Sequence, residues 1–572
     1  MIGLLGFISQ TKDFGHSDYN YLGNRPFLED EYHFKTFHIK RKLNDKFFND
    51  KLFQEDQDFF VAVDGVLLNA KQLKQDFAIR DNFNLIKHLY LKEGKQFINT
   101  LKGDFSLVLY NKTSNELIVY TNTTTSKPIY YHFNKDLNEF YFGSNVYELS
   151  KCLKAKGIKL TVNEFAFYSV ASFDYVYGNH HFSNEIKKLG GGQFIVYNTK
   201  EDIKIETYFR LSSYPQLNLT EDEYLHKINE KFEQAIRLQY DKDLEYNYKH
   251  ISTLSGGLDS RMTTLVGHKL GYKAINTITF SSPNYWDEII AKQIAKKFKL
   301  NNFLYKIDSG NHLKEFDFSL HVNGGLLSYF VANQIHDFYN KIDFASYGLI
   351  HTGQVGDAIV GSTLHNYNIH FKYGYINPKY KEYFSSKLEN AILKEMIVND
   401  SLEMTRFYNH VFNFTLEGNQ YAYPYTETVS PFMERDFLQF CIRIPLKFRN
   451  NHNLYYKWIG RFHPELGKFY YEKIKRRTLN ISNKRFRKAY HIMYMFYLKR
   501  LGLKEKNNAL LNYAAWRQSG EIESNLNDLF NINIEAVKDE ELKNSLIKQY
   551  EQYNFQVKLK ALHAVLTYKL YF

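Results

Sequence analysis

The sequence predicts an α/β protein in two parts, a β-rich first half and a parallel-sheet second half that ends in helices. Three observations carry this. Short apolar runs separated by polar turns fill the first two hundred of 572 residues. Apolar strands and helical-period segments then alternate from about residue 225 to 307, the pattern of βαβ units on a parallel sheet. Beyond about residue 380 the spacing of apolar residues is mostly helical. Composition agrees with a globular chain: 44% hydrophobic and 24% charged, enough to bury sizeable cores and unlike disordered or collagen-like sequences.

In the first half, Phe59 to Val66 is an apolar run ending at a turn. Phe105 to Tyr110 and Leu117 to Tyr120 flank a polar turn and predict a hairpin; Ile129–Tyr131 and Phe140–Phe142 predict another. Gly190–Gly192 precedes a strand over Gln193–Tyr197, and Leu211–Pro215 reads as a linker. In the second half, Leu225, Ile228, Phe232, Ala235 and Ile236 predict a helix. Strands over His250–Leu254, Ala274–Phe280 and Phe303–Ile307 alternate with helices marked by Met262, Leu265 and Val266, then by Ile289, Ile290, Ile294 and Phe298.

Net charge is 74 − 62 = +12, and two cysteines, Cys152 and Cys441, make no disulfide framework, which fits a reducing compartment. No apolar run is long enough to span a bilayer, and Met1–Ile8 reads as a strand, not a signal peptide. A cytoplasmic protein is expected. The histidines, His180 and His181 among them, have no metal-ligand spacing.

The sharpest motif is Leu254-Ser255-Gly256-Gly257-Leu258-Asp259-Ser260, after a strand and before a helix. Paired glycines allow close backbone approach, and the hydroxyls and loose amides at a helix start form an anion site. The loop lacks the lysine of a Walker A motif. An acid inside a phosphate loop makes sense when a divalent metal lies between it and the phosphates. A bare strand–helix turn is the alternative.

This loop resembles the pyrophosphate loop of the ATP pyrophosphatase superfamily, and the rest of the chain resembles its asparagine synthetase branch over about residues 1–460. The matching segments, in the family's order, are Val61–Asn69, Leu101–Tyr110, Lys127–Tyr131, Gly143–Asn145, the loop, Thr352–Asp357 with Gly361, Glu427–Phe432 and Lys457–Arg461. The resemblance implies an Ntn-hydrolase-like α/β/β/α sandwich, a class II glutamine amidotransferase-like domain over residues 1–212. It implies an adenine-nucleotide-α-hydrolase-like synthetase domain over 213–572. It places ATP on Leu254, Ser255, Gly256, Gly257, Asp259, Ser260, Phe280, Thr352 and Gly353, with Mg²⁺ on Asp259 and Asp357. Lys457 would neutralise phosphate charge and Glu427 would serve as base. The plain alternatives are loop caps for the two aspartates, a solvated lysine and a structural ion pair for Glu427.

Departures from the family carry information. Ile2 stands where glutamine-dependent members have a nucleophilic cysteine, and Asp64-Gly65-Val66 replaces Asn-Gly-Glu. Both imply a domain without glutaminase activity. Gln354 and Val429 replace a glutamate and an arginine. The expected function is therefore an AMP-forming ligase that activates a carboxylate as acyl-adenylate for attack by ammonia or an amine. Such a protein is similar to β-lactam synthetases, lasso-peptide cyclases and asparagine synthase-like proteins of polysaccharide clusters. Asparagine synthesis from ammonia, a tRNA-modifying ATP pyrophosphatase and a non-catalytic ATP-binding subunit are the alternatives.

Between Lys473 and Lys506 twelve Lys or Arg face one acid, Glu505. A solvated or ATP-side face, an anionic or lipid-linked acceptor site, and a nucleic-acid site are the readings of that stretch, nucleic acid the least favoured. The carboxylate substrate is expected to be a small molecule or a peptide. The tail segment Lys558–Leu566 predicts an amphipathic helix packed on the synthetase half.

Overall fold

The computed structural model describes residues 3–10, 13–14, 26–198, 202–307, 309–361, 401–471, 476–477, 510–518, 520–552 and 554–572, with isolated positions 390, 394, 493, 496 and 500. Ile2 and most of the basic stretch 473–506 lie outside them.

Twelve strands form two six-stranded sheets in the first half. These are β1 (Gly3–Ile8), β2 (Phe27–Phe34), β3 (Phe37–Asn44), β4 (Phe53–Glu55), β5 (Phe59–Leu67), β6 (Gly103–Asn111), β7 (Glu116–Thr121), β8 (Tyr130–Asn134), β9 (Glu139–Gly143), β10 (Lys187–Lys188), β11 (Gln193–Asn198) and β12 (Lys204–Thr207). The orders are β10-β8-β9-β1-β3-β2 and β12-β11-β7-β6-β5-β4. The pairings are antiparallel, including the predicted hairpins β6–β7 and β8–β9.

Period-two alternation explains the stacking. In β5, Phe60 and Ala62 face the opposing sheet, whereas Phe59, Val61 and Val63 face α1 (Ala70–Asp76) and α2 (Asn82–Glu93). In β1, Leu4 and Ile8 point between the sheets, and Leu5 and Phe7 point to α3 (Val146–Ala155) and α4 (Glu164–Phe173). Strands apolar on both faces thus sit inside an α/β/β/α sandwich.

The second half holds β13 (Lys249–Thr253), β14 (Ile275–Ser281), β15 (Asn301–Lys306), β16 (Tyr347–His351) and β17 (Thr428–Val429). They form one parallel sheet in the order β15-β14-β13-β16-β17. On one face lie α5 (Glu221–Glu245), α6 (Leu258–Lys269) and α7 (Trp286–Phe298), which bury the predicted Ile228, Phe232 and Ile236, Met262 and Leu265, and Ile290 and Ile294. On the other face Phe338 and Tyr339 meet Ile251, Ile278 and Ile350.

Two expectations are sharpened. Leu211, within the predicted linker, is buried in the core of the second half, and the Gln439 side chain donates to the Ser212 carbonyl at 2.7 Å. The tail helix Phe555–Tyr571 packs on both halves: it shares one core with α3 and α4 and with Leu326, Tyr329 and Phe330 of the second half, and Tyr571 donates to the Gly324 carbonyl at 2.9 Å. Lys560 pairs with Asp174 at 2.7 Å, at the end of α4. The helix is apolar around most of its circumference from Leu559 to Leu566, so it is enclosed on several sides, as an all-round apolar helix must be.

Candidate functional site

The order of the parallel sheet reverses between β13 and β16, and their following loops part there. In open α/β sheets ligands bind in that crevice. The loop after β13 is Leu254–Gly257, and the loop after β16 begins at Thr352. Together they open onto a cavity of about 510 Å³ lined by Leu254, Ser255, Gly257, Asp259, Ser260, Phe280, Thr352 and Gly353, among others. Those eight are sequence-predicted positions; the ninth, Gly256, is the loop residue between Ser255 and Gly257. The volume falls within the usual ~300–1,000 Å³ of small-ligand sites.

The loop is held internally. The Ser255 and Ser260 hydroxyls lie 2.9 Å apart, the Ser255 amide donates to Ser260 Oγ at 3.0 Å, and the Gly257 amide donates to Ser255 Oγ at 3.1 Å. The first amides of α6 follow, and they have no intrahelical acceptor. Contact between the two loops requires glycine: a Cβ on Gly353 would lie 2.2 Å from the Asp259 carbonyl carbon and the Ser260 nitrogen.

Three residues that shape the loop were not singled out from sequence. Arg261 is fully buried and donates to the carbonyls of Gly256, Leu466 and Tyr470 at 3.1, 3.0 and 2.8 Å. Burial lowers its guanidinium to about 10, so it stays charged beneath the loop. Asp287, in the first turn of α7, accepts from the Gly256 amide at 2.6 Å and lines the cavity. Tyr455 donates to Asp259 Oδ1 at 2.7 Å. Asp287 was legible as an acid at a helix start; Arg261 and Tyr455 take their roles from contacts distant in sequence.

Asp259 and Asp357 meet differently from the expected carboxylate pair. The Asp357 backbone amide donates to Asp259 Oδ2 at 3.0 Å, so Asp259 caps the second loop while its side chain lines the cavity. Asp357 is not among the cavity-lining residues. One or two carboxylates plus phosphate oxygens is an ordinary Mg²⁺ environment, and the Asp259 and Asp357 carboxylates are close enough together that both act on Tyr455 and Tyr471.

The structure does not bring Lys457 or Glu427 to the cavity. Lys457 is on the helix Asn453–Phe462, where its Nζ lies 2.7 Å from both Glu221 oxygens at the surface. Positions two apart on a helix point about 200° apart, and Tyr455 takes the inward direction. Glu427 immediately precedes β17; its neighbour Thr428 lines the cavity, and successive residues of an extended chain face opposite ways. Glu427 is 1% exposed and turned toward the sandwich, 2.7 Å from Lys51 Nζ and 2.8 Å from Lys127 Nζ. Burial raises its carboxyl, but the two ammonium groups outweigh burial and hold it at about 2.

Lys127 also pairs with Asp64 at 2.9 Å, and Ser144 donates to the other Asp64 oxygen at 3.0 Å. Asp64, Lys127, Ser144 and Tyr423 enclose a space of only about 20 Å³. Gln354 is fixed too: its Nε2 donates to Asn419 Oδ1 at 2.8 Å.

Residues 48–209 match the glutamine amidotransferase domain family. The chain is 27% identical over 223 residues to a probable glutamine-hydrolyzing asparagine synthetase of Dictyostelium discoideum, covering 38% of this chain and 34% of that one. It is 25% identical over 276 residues to the glutamine-hydrolyzing asparagine synthetase 2 of Bacillus subtilis, covering 45% and 36%. The matches therefore span about a third of each curated relative. A solved glutamine PRPP amidotransferase of B. subtilis, complexed with ADP and GMP, aligns over 47% of this chain and 51% of its own at 12% identity and a TM-score of 0.22.

The class is thus a chain carrying a glutamine amidotransferase-type domain. Within that class, it is a relative of the asparagine synthetase family. Among the described residues no helix is long and apolar enough to cross a membrane.

Proposed function

We propose that this protein is an ATP-dependent amide synthetase that works without glutamine. The carrying observation is the Ser255–Ser260 loop at the switch point of the parallel sheet, opening on a cavity of about 510 Å³. Loop amides and the start of α6 hold the pyrophosphate of ATP, and buried Arg261 fixes the loop from behind and adds positive charge there. Asp259 would hold Mg²⁺, whose charge offsets that of the phosphates. The apolar wall around Phe280, Ile335 and Tyr339 excludes water from the acyl group. The carboxylate attacks the α-phosphorus of ATP and pyrophosphate leaves. A nitrogen nucleophile then adds to the acyl-adenylate, loses a proton and expels AMP.

Two features support independence from glutamine. Asp64-Gly65-Val66 stands in place of the family's Asn-Gly-Glu, and the space of about 20 Å³ beside Asp64 holds a water and not an amino acid. In this reading residues 1–212 are a structural partner of the synthetase half in a cytoplasmic enzyme, and the carboxylate is a small molecule or peptide. The basic stretch 473–506 offers a place for an anionic acceptor.

The test is ATP–pyrophosphate exchange across a panel of carboxylates. Exchange that depends on one carboxylate and disappears in Asp259→Ala supports the reading. Exchange that Asp259→Ala leaves intact removes it. Amide nitrogen delivered from labelled glutamine, but not from ammonia or an amine, removes the glutamine-independent part alone.

A further inference from the structure

The sandwich reaches the walls of the phosphate-loop cavity through a short segment at the end of α4, Asp174–Gly178. On one side the Asp174 carbonyl accepts from the Ser328 amide at 2.8 Å, the Val176 amide donates to the Leu326 carbonyl at 3.2 Å, and Tyr175 pairs with Leu327 in an antiparallel bridge. Ser328 immediately precedes the helix Tyr329–Tyr339. Leu327 lines the cavity, as do Val331, Ile335 and Tyr339 from one face of that helix.

On the other side, Gly178 is buried, so its backbone groups need partners. Its amide donates to Asn409 Oδ1 and its carbonyl accepts from Asn413 Nδ2, both at 2.7 Å. Asn409 and Asn413 belong to Phe407–Thr415, nine residues wound as a π-helix. That winding is rare and is mostly confined to single turns, so a stretch of this length calls for support from outside. Residues four apart share one side of a helix, which lets both amides reach Gly178 together. The next residues, Phe414 and Thr415, line the cavity, and the Phe414 ring lies 5.7 Å from that of Tyr175. Gly418 and Asn419 continue the wall, and Asn419 holds Gln354. Rewinding the segment as an α-helix would turn Phe414 and Thr415 to a new direction, since an i→i+4 turn takes up fewer residues than an i→i+5 turn.

We propose that Asn409 and Asn413 are positioning residues: by clamping the Gly178 backbone they hold the π winding that aims Phe414 and Thr415 into the cavity. The sandwich thereby serves as a template for the wall that receives the acyl group. What the wall binds rests on the reading of this cavity as the synthetase site; how the wall is held does not.

The test is pyrophosphate exchange on the full chain, with the carboxylate varied at saturating ATP and then ATP varied at saturating carboxylate. The same substitution at the two positions separates the clamp from its surroundings. Asn413→Asp keeps the contact with Lys188 Nζ, now at 3.0 Å, but sets an oxygen against the Gly178 carbonyl. Asn409→Asp gives up the bond to the Thr405 carbonyl but keeps the acceptor for the Gly178 amide. Asn413→Asp and Phe414→Ala should each raise the carboxylate KM about tenfold with the ATP KM within about twofold, and Asn409→Asp should leave both within about twofold. Gln549→Ala removes a different buried bond to the sandwich, to the Ala171 carbonyl at 2.8 Å; it should lower the melting temperature and leave both KM values unchanged. Equal effects of the two aspartates, a change confined to the ATP KM, or the same KM shift in Gln549→Ala would each overturn the proposal. If the unaltered protein shows no carboxylate-dependent exchange, the synthetase reading falls and deuterium exchange decides the clamp. Faster exchange over 407–415 in Asn413→Asp than in Asn409→Asp supports it, and equal protection in the two overturns it.

Discussion

The pocket beside Asp64 and the cavity over the phosphate loop hold similar chemistry and end in opposite states. In the first, Asp64, Lys127, Glu427 and Lys51 neutralise one another across the junction of the two halves, leaving about 20 Å³. In the second, hydroxyls and helix-start amides converge on about 510 Å³. Charges that find partners within the protein close a site and lock two halves together. Donors gathered at a switch point with unfilled space beside them keep a site open. The difference lies in where the counter-charge comes from, and this can be tested at either end.

The largest effect is expected at the closed pocket. Glu427→Gln leaves the fully buried Lys51 with only neutral acceptors, the Asn44 carbonyl and side-chain oxygens at 3.0 and 2.6 Å. A buried charge stripped of its partner costs about 3–5 kcal/mol. Chemical denaturation would measure it, and a loss under about 1 kcal/mol would mean that the network does not hold the halves together.

At the open site, Gly353→Ala drives a methyl into the Asp259–Ser260 backbone. Overpacking of this kind costs about 1–3 kcal/mol. It should also part the two loops and weaken ATP binding by about tenfold or more, as calorimetry would show.

Acidification separates Glu427 from a neighbouring buried carboxyl, Asp104. Glu427 sits at about 2 when folded against an ordinary 4.5. Its stabilisation is complete above 4.5 and is lost as pH falls toward 2, at no more than about 1.4 kcal/mol per pH unit. Asp104 has the opposite sign: burial, larger than the lowering effects of Ser126 and Lys127, raises it from 3.8 to about 6. It takes up a proton in the folded state first, so its contribution rises as pH falls from 6 to 3.8. Comparing Glu427→Gln with Asp104→Asn across pH 3–7 should give difference curves of opposite slope. Curves of the same slope would refute the assignment.

The smallest effect is expected at Lys457. Its pair with Glu221 is solvent-exposed, and such pairs contribute about 0–1 kcal/mol. Lys457→Met should leave stability and pyrophosphate exchange nearly unchanged. A collapse of exchange would place Lys457 in the chemistry after all.

The cavity-lining loop was legible as a candidate site because its pattern is local: two glycines, two serines and an acid between an apolar strand and a helix lie within Ser255–Ser260. Asp287 was half legible, as an acid at a helix start. Glu427 and Lys457 were legible as motif positions but not as directions. Whether a side chain on β17 or on the helix Asn453–Phe462 enters the cavity depends on which face that element buries, and distant partners such as Lys51 and Asn229 set that.

The sequence by itself determined the α/β fold class, the strand and helix periods and the placing of a glycine-serine loop between a strand and a helix, because each is carried by residues adjacent in the chain or repeating at fixed intervals. The tertiary structure decided the rest: Glu427 in an ion-pair network, the tail helix against α4, Gly178 against the π-helix. These pairings join residues up to several hundred positions apart, and neither hydrophobic period nor motif spacing encodes which buried face meets which.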